Sequence, residues 1–244
     1  MSGTNRRRFL QSTAAATAVF AISGTKSSGN ILGANERLRV AVAGLHGRGR
    51  SHYGAYAKMK DVEVAYVVDP DSRQFARAIN DVKNISGTAP KPISDIREVL
   101  DDSELNIVSI ATPNHWHSLM SIWACQAGKD VYVEKPLSHN ISEGRKLVEA
   151  ARKYKRMVQH GTQERSSSGR ASEIAALHSG KYGKLTVSKG YCCKPRWSIG
   201  KKTNEKPPAE LDFNVWLGPA PQQPYHGNLV HYNWHWFWET GNGD

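Results

Sequence analysis

Two stretches of the chain carry residue types at spacings that chemistry requires. The first is Gly44-Leu45-His46-Gly47-Arg48-Gly49, directly after the apolar run Leu38–Ala43. Glycines there let a strand turn sharply into a helix, so that backbone N–H groups at the helix N-terminus can approach a pyrophosphate. Asp69 closes a second apolar run, Val62 to Val68, twenty residues past Gly49. An acid at that place takes the ribose hydroxyls of an adenosine and repels a 2′-phosphate, so NAD(H) is expected over NADP(H). Arg73, one helical turn on, would soften that preference. The fingerprint departs from its usual form at His46, where a glycine is expected and a side chain would crowd the pyrophosphate. Gly47 next door can shift the turn, and Arg48 adds charge.

The second stretch is Glu134-Lys135-Pro136, which follows the short run Asp130 to Val133. Open α/β sheets place their ligands at the carboxyl ends of strands, and Lys135 stands at such an end. Proline constrains the residue before it and its peptide bond can be cis, so this is a shaped turn rather than a strand running into a helix. The plainer reading is a surface lysine; the constrained turn favours a functional one, with Glu134 supporting the nicotinamide end or orienting Lys135. His115 and His117 do not suggest a metal: positions i and i+2 of a helix do not share a face, and no carboxylate or cysteine joins them at ligand spacing.

These residues need strands and helices to hold them, and the chain supplies an alternation of both. A helix is expected from about Arg50 to Lys58 after the first strand. Asp95 and Glu98 have capping-box spacing for a short helix through Leu100. A strand is expected over 106–111, leaving at Thr112-Pro113-Asn114, then a helix from about His115 to Ala127 that stops at Gly128. Asn140 and Glu143 again have capping-box spacing for a helix reaching about Tyr154, and a short strand runs over 157–160. Strands separated by helices predict an α/β, Rossmann-type, doubly wound parallel sheet. After about residue 165 the pattern changes: Leu185 to Cys193 reads as a longer strand, and Trp234, Trp236 and Trp238 alternate with other residues at strand period. This is the expected start of an α+β domain with a largely antiparallel sheet. The tryptophans form either a platform for stacking sugars or, more plainly, a sheet face buried against the first domain or a second subunit.

With 244 residues the chain is long enough for one large core or two modest ones. Its net charge of +11 would suit a polyanion, yet Lys and Arg are scattered and no aromatic-basic recognition module is present, so no nucleic-acid partner is expected. Three cysteines supply no disulfide framework. No run approaches the ~20 apolar residues of a membrane span. Arg6-Arg7-Arg8-Phe9-Leu10, an apolar stretch from Ala14 to Ile22 and small residues thereafter read as an export signal of the twin-arginine type, which carries proteins already folded. The expected organisation is a signal and linker over 1–34, a dinucleotide-binding domain over 35–165, and an incomplete substrate or oligomerisation domain over 166–244.

Together these features resemble the Gfo/Idh/MocA oxidoreductases, in particular an exported branch of the family. The resemblance rests on the strand ending at Asp69, on Ala111-Thr112-Pro113-Asn114-His115-Trp116-His117, on Glu134-Lys135-Pro136, and on the later Gly161-Thr162-Gln163-Glu164-Arg165 and Trp216-Leu217-Gly218-Pro219. It implies a sheet-rich second domain that lines the substrate pocket and often mediates oligomers, and hydride transfer between NAD and a hydroxyl-bearing carbon of a sugar or polyol. It implies Lys135 as the catalytic lysine. It implies Gly44, His46, Gly47, Arg48, Gly49, Asp69, Thr112, Pro113, Asn114, His117, Glu134 and Lys135 at the cofactor, and Gln163, Arg165 and Trp197 toward substrate. Arg165 and Trp197, with Arg196, are equally credible as ion-pairing or packing residues between domains.

The family's partner histidine and aspartate are expected beyond Asp244, so the chain reads as truncated and its own turnover is expected to be slight. An exported, periplasmic homo-oligomer passing through the twin-arginine machinery is the expected full-length form. Two other functions stay open. One is a glycoside hydrolase of the same fold, which oxidises a sugar transiently with NAD, eliminates the aglycone and reduces the sugar back. The other is a non-catalytic sugar-binding protein that retains the cofactor site.

Overall fold

The computed structural model describes residues 37–243. The expected signal at 1–34 lies outside these residues. Six parallel strands form one sheet in the order β3-β2-β1-β4-β5-β6, the arrangement of a doubly wound dinucleotide-binding domain. In chain order the elements are β1 (Leu38–Ala43), α1 (Arg48–Tyr56), β2 (Val62–Val68), α2 (Phe75–Ser86), β3 (Lys91–Ile93), β4 (Ile107–Ile110), α3 (Asn114–Gln126), β5 (Asp130–Glu134), α4 (Ile141–Tyr154), β6 (Val158–Gly161), α5 (Ser168–His178) and α6 (Phe213–Leu217).

The sheet is buried on both faces because consecutive strand residues point opposite ways. In β1, Val40 and Val42 pack with Leu45, Tyr53 and Ala78 on one side. Ala41 and Ala43 pack with Ile110, Trp116 and Val133 on the other. Where the sequence signalled a cap, a cap forms, though not always of the expected kind. Asn140 Oδ1 accepts the Glu143 N–H at 3.0 Å, and its amide donates to Glu143 Oε1 at 2.7 Å. Asp95 accepts from the Arg97 N–H instead of from residue 98, and the turn it opens is a single 3₁₀ segment, Ile96–Val99.

Two expectations for the C-terminal part are corrected. Residues 185–193 form no strand, and Leu185, Val187 and Tyr191 are exposed. A strand needs a neighbour for its backbone donors and acceptors, and among the described residues nothing pairs with this stretch. The tryptophan run is a 3₁₀ turn, Asn233–Trp236, rather than a strand. Its rings stack locally, with Trp234 and His235 centroids 3.6 Å apart, while Trp238 is exposed.

A third apolar cluster, including Leu211, Trp216, Leu217 and Leu229, sits beside the sheet domain. It is tied there by an antiparallel bridge between Asp71 and Leu211 and by Trp116 Nε1, which donates to the Trp216 carbonyl at 2.9 Å. His115 seals the join: its Nδ1 lies 3.2 Å from Thr240 O and its Nε2 3.1 Å from Trp216 O. Burial drives this imidazole from 6.5 down to about 4, against the pull of the two carbonyls.

The unfolded chain therefore takes up a proton near pH 6.5 that the folded protein refuses until about pH 4, and stability is lost as pH falls through that window. At about 1.4 kcal/mol for each pH unit the loss approaches ~3 kcal/mol. His115→Gln is expected to lack this component when urea unfolding is compared at neutral pH and near pH 4.5. Equal acid sensitivity in the two proteins would contradict the assignment.

Candidate active site

A cavity of about 710 Å³ opens at the carboxyl ends of the strands. It gathers Gly44, His46, Gly47, Arg48, Asp69, Thr112, Pro113, Asn114, His117, Glu134, Lys135 and Gln163 from the strand ends and the turns that follow them, together with Trp216, His231, Trp234 and His235 from the C-terminal part. Three residues expected near ligand lie elsewhere. Gly49 and Arg165 do not line the cavity, and Trp197 is 89% exposed. The Arg196 guanidinium lies over the Trp236 ring at 5.1 Å.

At one end the glycine turn is built as a phosphate cradle. Gly44 has φ +82°, and a Cβ there would meet Ala111 O at 2.5 Å. Gly47 has φ +44° and faces open space, so the conformational freedom expected at residue 46 is used one residue later. His46 turns aside and stacks on His231, centroids 5.1 Å apart and planes within 6°. Gly47 leads into the N-terminus of α1, whose free N–H groups favour an anion.

Two carboxylates stand just past β2, and of these Asp69 lines the cavity. Asp69 is buried and accepts from the Leu45 N–H at 2.9 Å and the Asp71 N–H at 3.0 Å. Burial pushes its carboxyl up, and those two N–H groups oppose the push. Burial also works against the charge of Asp71, but Arg73 and His231 outweigh it and hold that carboxyl low. Arg73 grips Asp71 through Nε at 2.8 Å and Nη2 at 2.6 Å. It is thus committed to a carboxylate rather than available to a 2′-phosphate.

The other end is organised by Glu134. Its carboxylate accepts from His52 Nε2 at 3.1 Å, from Gln163 Nε2 at 3.3 and 3.0 Å, and from the Lys135 N–H at 3.3 Å. Arg48 Nε lies 3.4 Å away. Burial raises the cost of its charge, yet the His52 hydrogen bond, the Arg48 charge and the Lys135 N–H hold its carboxyl below the usual range. Lys135 joins Pro136 through a cis peptide bond and projects from this turn with an exposed side chain. Among the described residues its ammonium has no hydrogen bond or ion pair, so it is available to a ligand oxygen.

His117 lines the same end, but both its nitrogens are engaged, Nδ1 with Pro136 O at 2.6 Å and Nε2 with Thr112 O at 2.9 Å. It braces the lysine turn against α3 instead of presenting a free nitrogen to ligand. Sequence reasoning missed His52, Ser109 and His160. His160 lies in the cavity wall, and its Nε2 and the Thr112 Oγ1 are buried without partners. Buried polar atoms that lack partners inside the protein are the kind a bound ligand completes. With the phosphate cradle and the acidic ribose end, they fit a dinucleotide. No group of three or more His, Cys, Asp or Glu that could hold a metal ion occurs among the described residues.

Residues 38–162 match the family model described as an oxidoreductase family, NAD-binding Rossmann fold. Residues 177–244 match the model described as its C-terminal alpha/beta domain. Among curated proteins, Glycosyl hydrolase family 109 protein 1 of Shewanella sp. (strain MR-4) is 30% identical over 174 residues, 62% of this chain and 38% of the relative. The alpha-N-acetylgalactosaminidase of Shewanella oneidensis is 28% identical over 194 residues, 75% of this chain and 41% of the relative. The chain thus spans about two fifths of the length of these relatives. An NAD binding oxidoreductase from Klebsiella pneumoniae superposes with a TM-score of 0.52 at 27% identity, covering 59% of this chain and 39% of that one. The scyllo-inositol dehydrogenase of Lactobacillus casei, solved with NAD(H) and scyllo-inositol, gives 0.56 at 18% identity over 61% of this chain and 43% of that one, a likeness of fold.

Proposed function

Because this chain belongs to the Gfo/Idh/MocA oxidoreductase family, whose NAD-binding Rossmann domain spans residues 38–162, we propose that it oxidises or reduces a hydroxyl-bearing carbon of a sugar or polyol. The observation that carries this reading is the free Lys135 ammonium in the same cavity as the phosphate cradle. When bound, NAD supplies the hydride acceptor or donor. The cofactor would be held by the turn from Gly44 to Arg48, by Asp69, and by the wall from Thr112 to Asn114. Lys135 would hold the substrate oxygen and steady the developing alkoxide; in oxidation its amine form takes the hydroxyl proton as the hydride leaves, and in reduction its ammonium returns that proton. Glu134 is saturated with donors, so it orients the turn and does not act as the base.

A second reading, a glycoside hydrolase that recycles its NAD, is favoured by the names of the curated relatives. Release of the aglycone from an aryl glycoside without net NADH identifies it; steady NADH production with a free polyol identifies the dehydrogenase.

Asp69 and the engaged Arg73 lead to a preference for NAD(H). Titrated by nicotinamide fluorescence, NADH is expected to bind this chain at least tenfold more tightly than NADPH, on the scale of about 1.4 kcal/mol for a charge repelled at close range. Tighter binding of NADPH would overturn the assignment of the acidic end. Export is part of the same proposal: a folded, NAD-loaded protein is expected to leave the cytoplasm by the twin-arginine route. Changing Arg6 and Arg7 to Lys should hold the precursor inside, and undiminished export of that variant would rule the route out.

A further inference from the structure

His52 belongs to no ligand site, yet it is placed where a buried imidazole has consequences. It lies on α1 with 8% of its surface exposed, between Ser109 of β4, which is fully buried, and Glu134 of β5. Its Nδ1 is 2.9 Å from Ser109 Oγ and its Nε2 is 3.1 Å from Glu134 Oε1. We propose that His52 is a positioning residue: set by Ser109 on one side, it fixes the Glu134 carboxylate on the other, and so holds the turn that presents Lys135 to the cavity. The role rests on the functional reading of Lys135 given above.

The hydrogen bonding dictates the arrangement of protons. An ionised carboxylate can only accept, so His52 must carry hydrogen on Nε2. In the neutral ring Nδ1 then accepts the Ser109 hydroxyl, which selects that tautomer. A buried chain of three polar side chains is costly unless every member is satisfied, and here each contact satisfies two groups. The surroundings add Arg48 and Gln163 at Glu134 and the Tyr132 ring edge-on to His52 at 5.2 Å. Glutamine could supply the donor to Glu134, and leucine could fill the volume without donating. The two substitutions therefore separate hydrogen bonding from packing.

The test reads the Glu134 carboxyl carbon by NMR in the NAD-saturated chain. In His52→Leu its titration midpoint should rise by roughly one pH unit, as expected when a carboxylate loses a buried donor, while His52→Gln should stay near the parent. In the NAD-loaded native protein, His52→Leu should lower kcat by about ten- to a hundredfold, the scale of a misplaced catalytic group, with KM within about twofold and His52→Gln largely restored. An unmoved Glu134 midpoint in His52→Leu, or a glutamine variant as impaired as the leucine one, overturns the proposal.

Should His52→Leu not fold, Ser109→Ala decides the matter through the imidazole nitrogens. Parent and variant should both keep the Nε2–H tautomer that Glu134 dictates, while the Nδ1 resonance should move in the variant from a hydrogen-bonded acceptor to a free one; an unmoved Nδ1 resonance contradicts the role of Ser109. Normal turnover in Lys135→Ala would remove the functional reading while leaving these titrations intact, so the two failures are distinguishable.

Discussion

Replacing Lys135 by alanine is expected to lower kcat of the native protein by about 10²–10⁴-fold, the usual scale for one acid–base group, while NAD affinity changes little. A hydride leaves a carbinol carbon only as its hydroxyl proton is lost, so the reaction needs a positioned group that takes the proton and steadies the oxygen. Lys135 is exposed to the cavity and, among the described residues, uncommitted. Glu134 is engaged by four donors, His117 by two carbonyls and Arg48 by Glu134, while His160 Nε2 is buried in the wall without a partner. The substitution leaves the glycine turn and Asp69 intact, which is why binding should survive it. Steady-state kinetics together with NADH titration of the variant check both halves of the expectation; unchanged kcat would make the lysine structural.

The second large effect is expected at Gly49, for a reason the fingerprint alone does not reveal. A Cβ at Gly49 would lie 1.6 Å from the Gly44 carbonyl oxygen, a backbone atom that cannot move aside without opening the turn. Gly49→Ala should therefore destabilise the chain by roughly 3 kcal/mol, at the upper end for overpacking against a rigid neighbour, and weaken NADH binding through the displaced turn. Gly47→Ala is the control. Its Cβ would enter open space, so no clash arises, and its cost is the roughly 1–3 kcal/mol of backbone strain at φ +44°, ψ −101°, a conformation outside the left-handed helical region. Urea unfolding and NADH titration of the pair separate the two roles, and a Gly49→Ala protein as stable as its parent would refute the packing explanation.

The first two strands were legible to the residue because each is a mostly apolar run, broken only by Arg39 or Glu63 near its start, and closed by turn chemistry, Gly44 after β1 and Asp69 after β2. The lysine turn was legible for the same reason. Helix α2 is absent from the expected elements although its signal is there: Phe75, Ala78, Ile79 and Val82 recur at helical spacing and face one core cluster. β3 is three residues long with Lys91 and Pro92 exposed, and reads as loop. The alternation of Trp234, Trp236 and Trp238 suggested a strand because spacing alone cannot distinguish a pleat from a tight turn whose rings stack on one another. The Glu134 cluster was hidden for a different reason. His52 and Glu134 are 82 residues apart in the chain, and nothing local to either shows that the fold brings α1 against the end of β5. His46 was legible as an anomaly, but its resolution, the stack on His231, depends on a segment nearly two hundred residues away.

The central claim is that the cavity performs hydride chemistry on a carbohydrate carbon with Lys135 as its acid–base group. Its most direct test is rapid mixing of the NAD-loaded native protein with a panel of polyols, free sugars and aryl glycosides, following the absorbance of reduced nicotinamide on the enzyme. At least one member of the panel should produce reduced nicotinamide within a single turnover, lasting for a dehydrogenase and transient for a glycosidase, and Lys135→Ala should abolish the signal without loss of bound NAD. Reduced nicotinamide appearing equally fast in Lys135→Ala, or with no member of the panel while NAD stays bound, would contradict the claim.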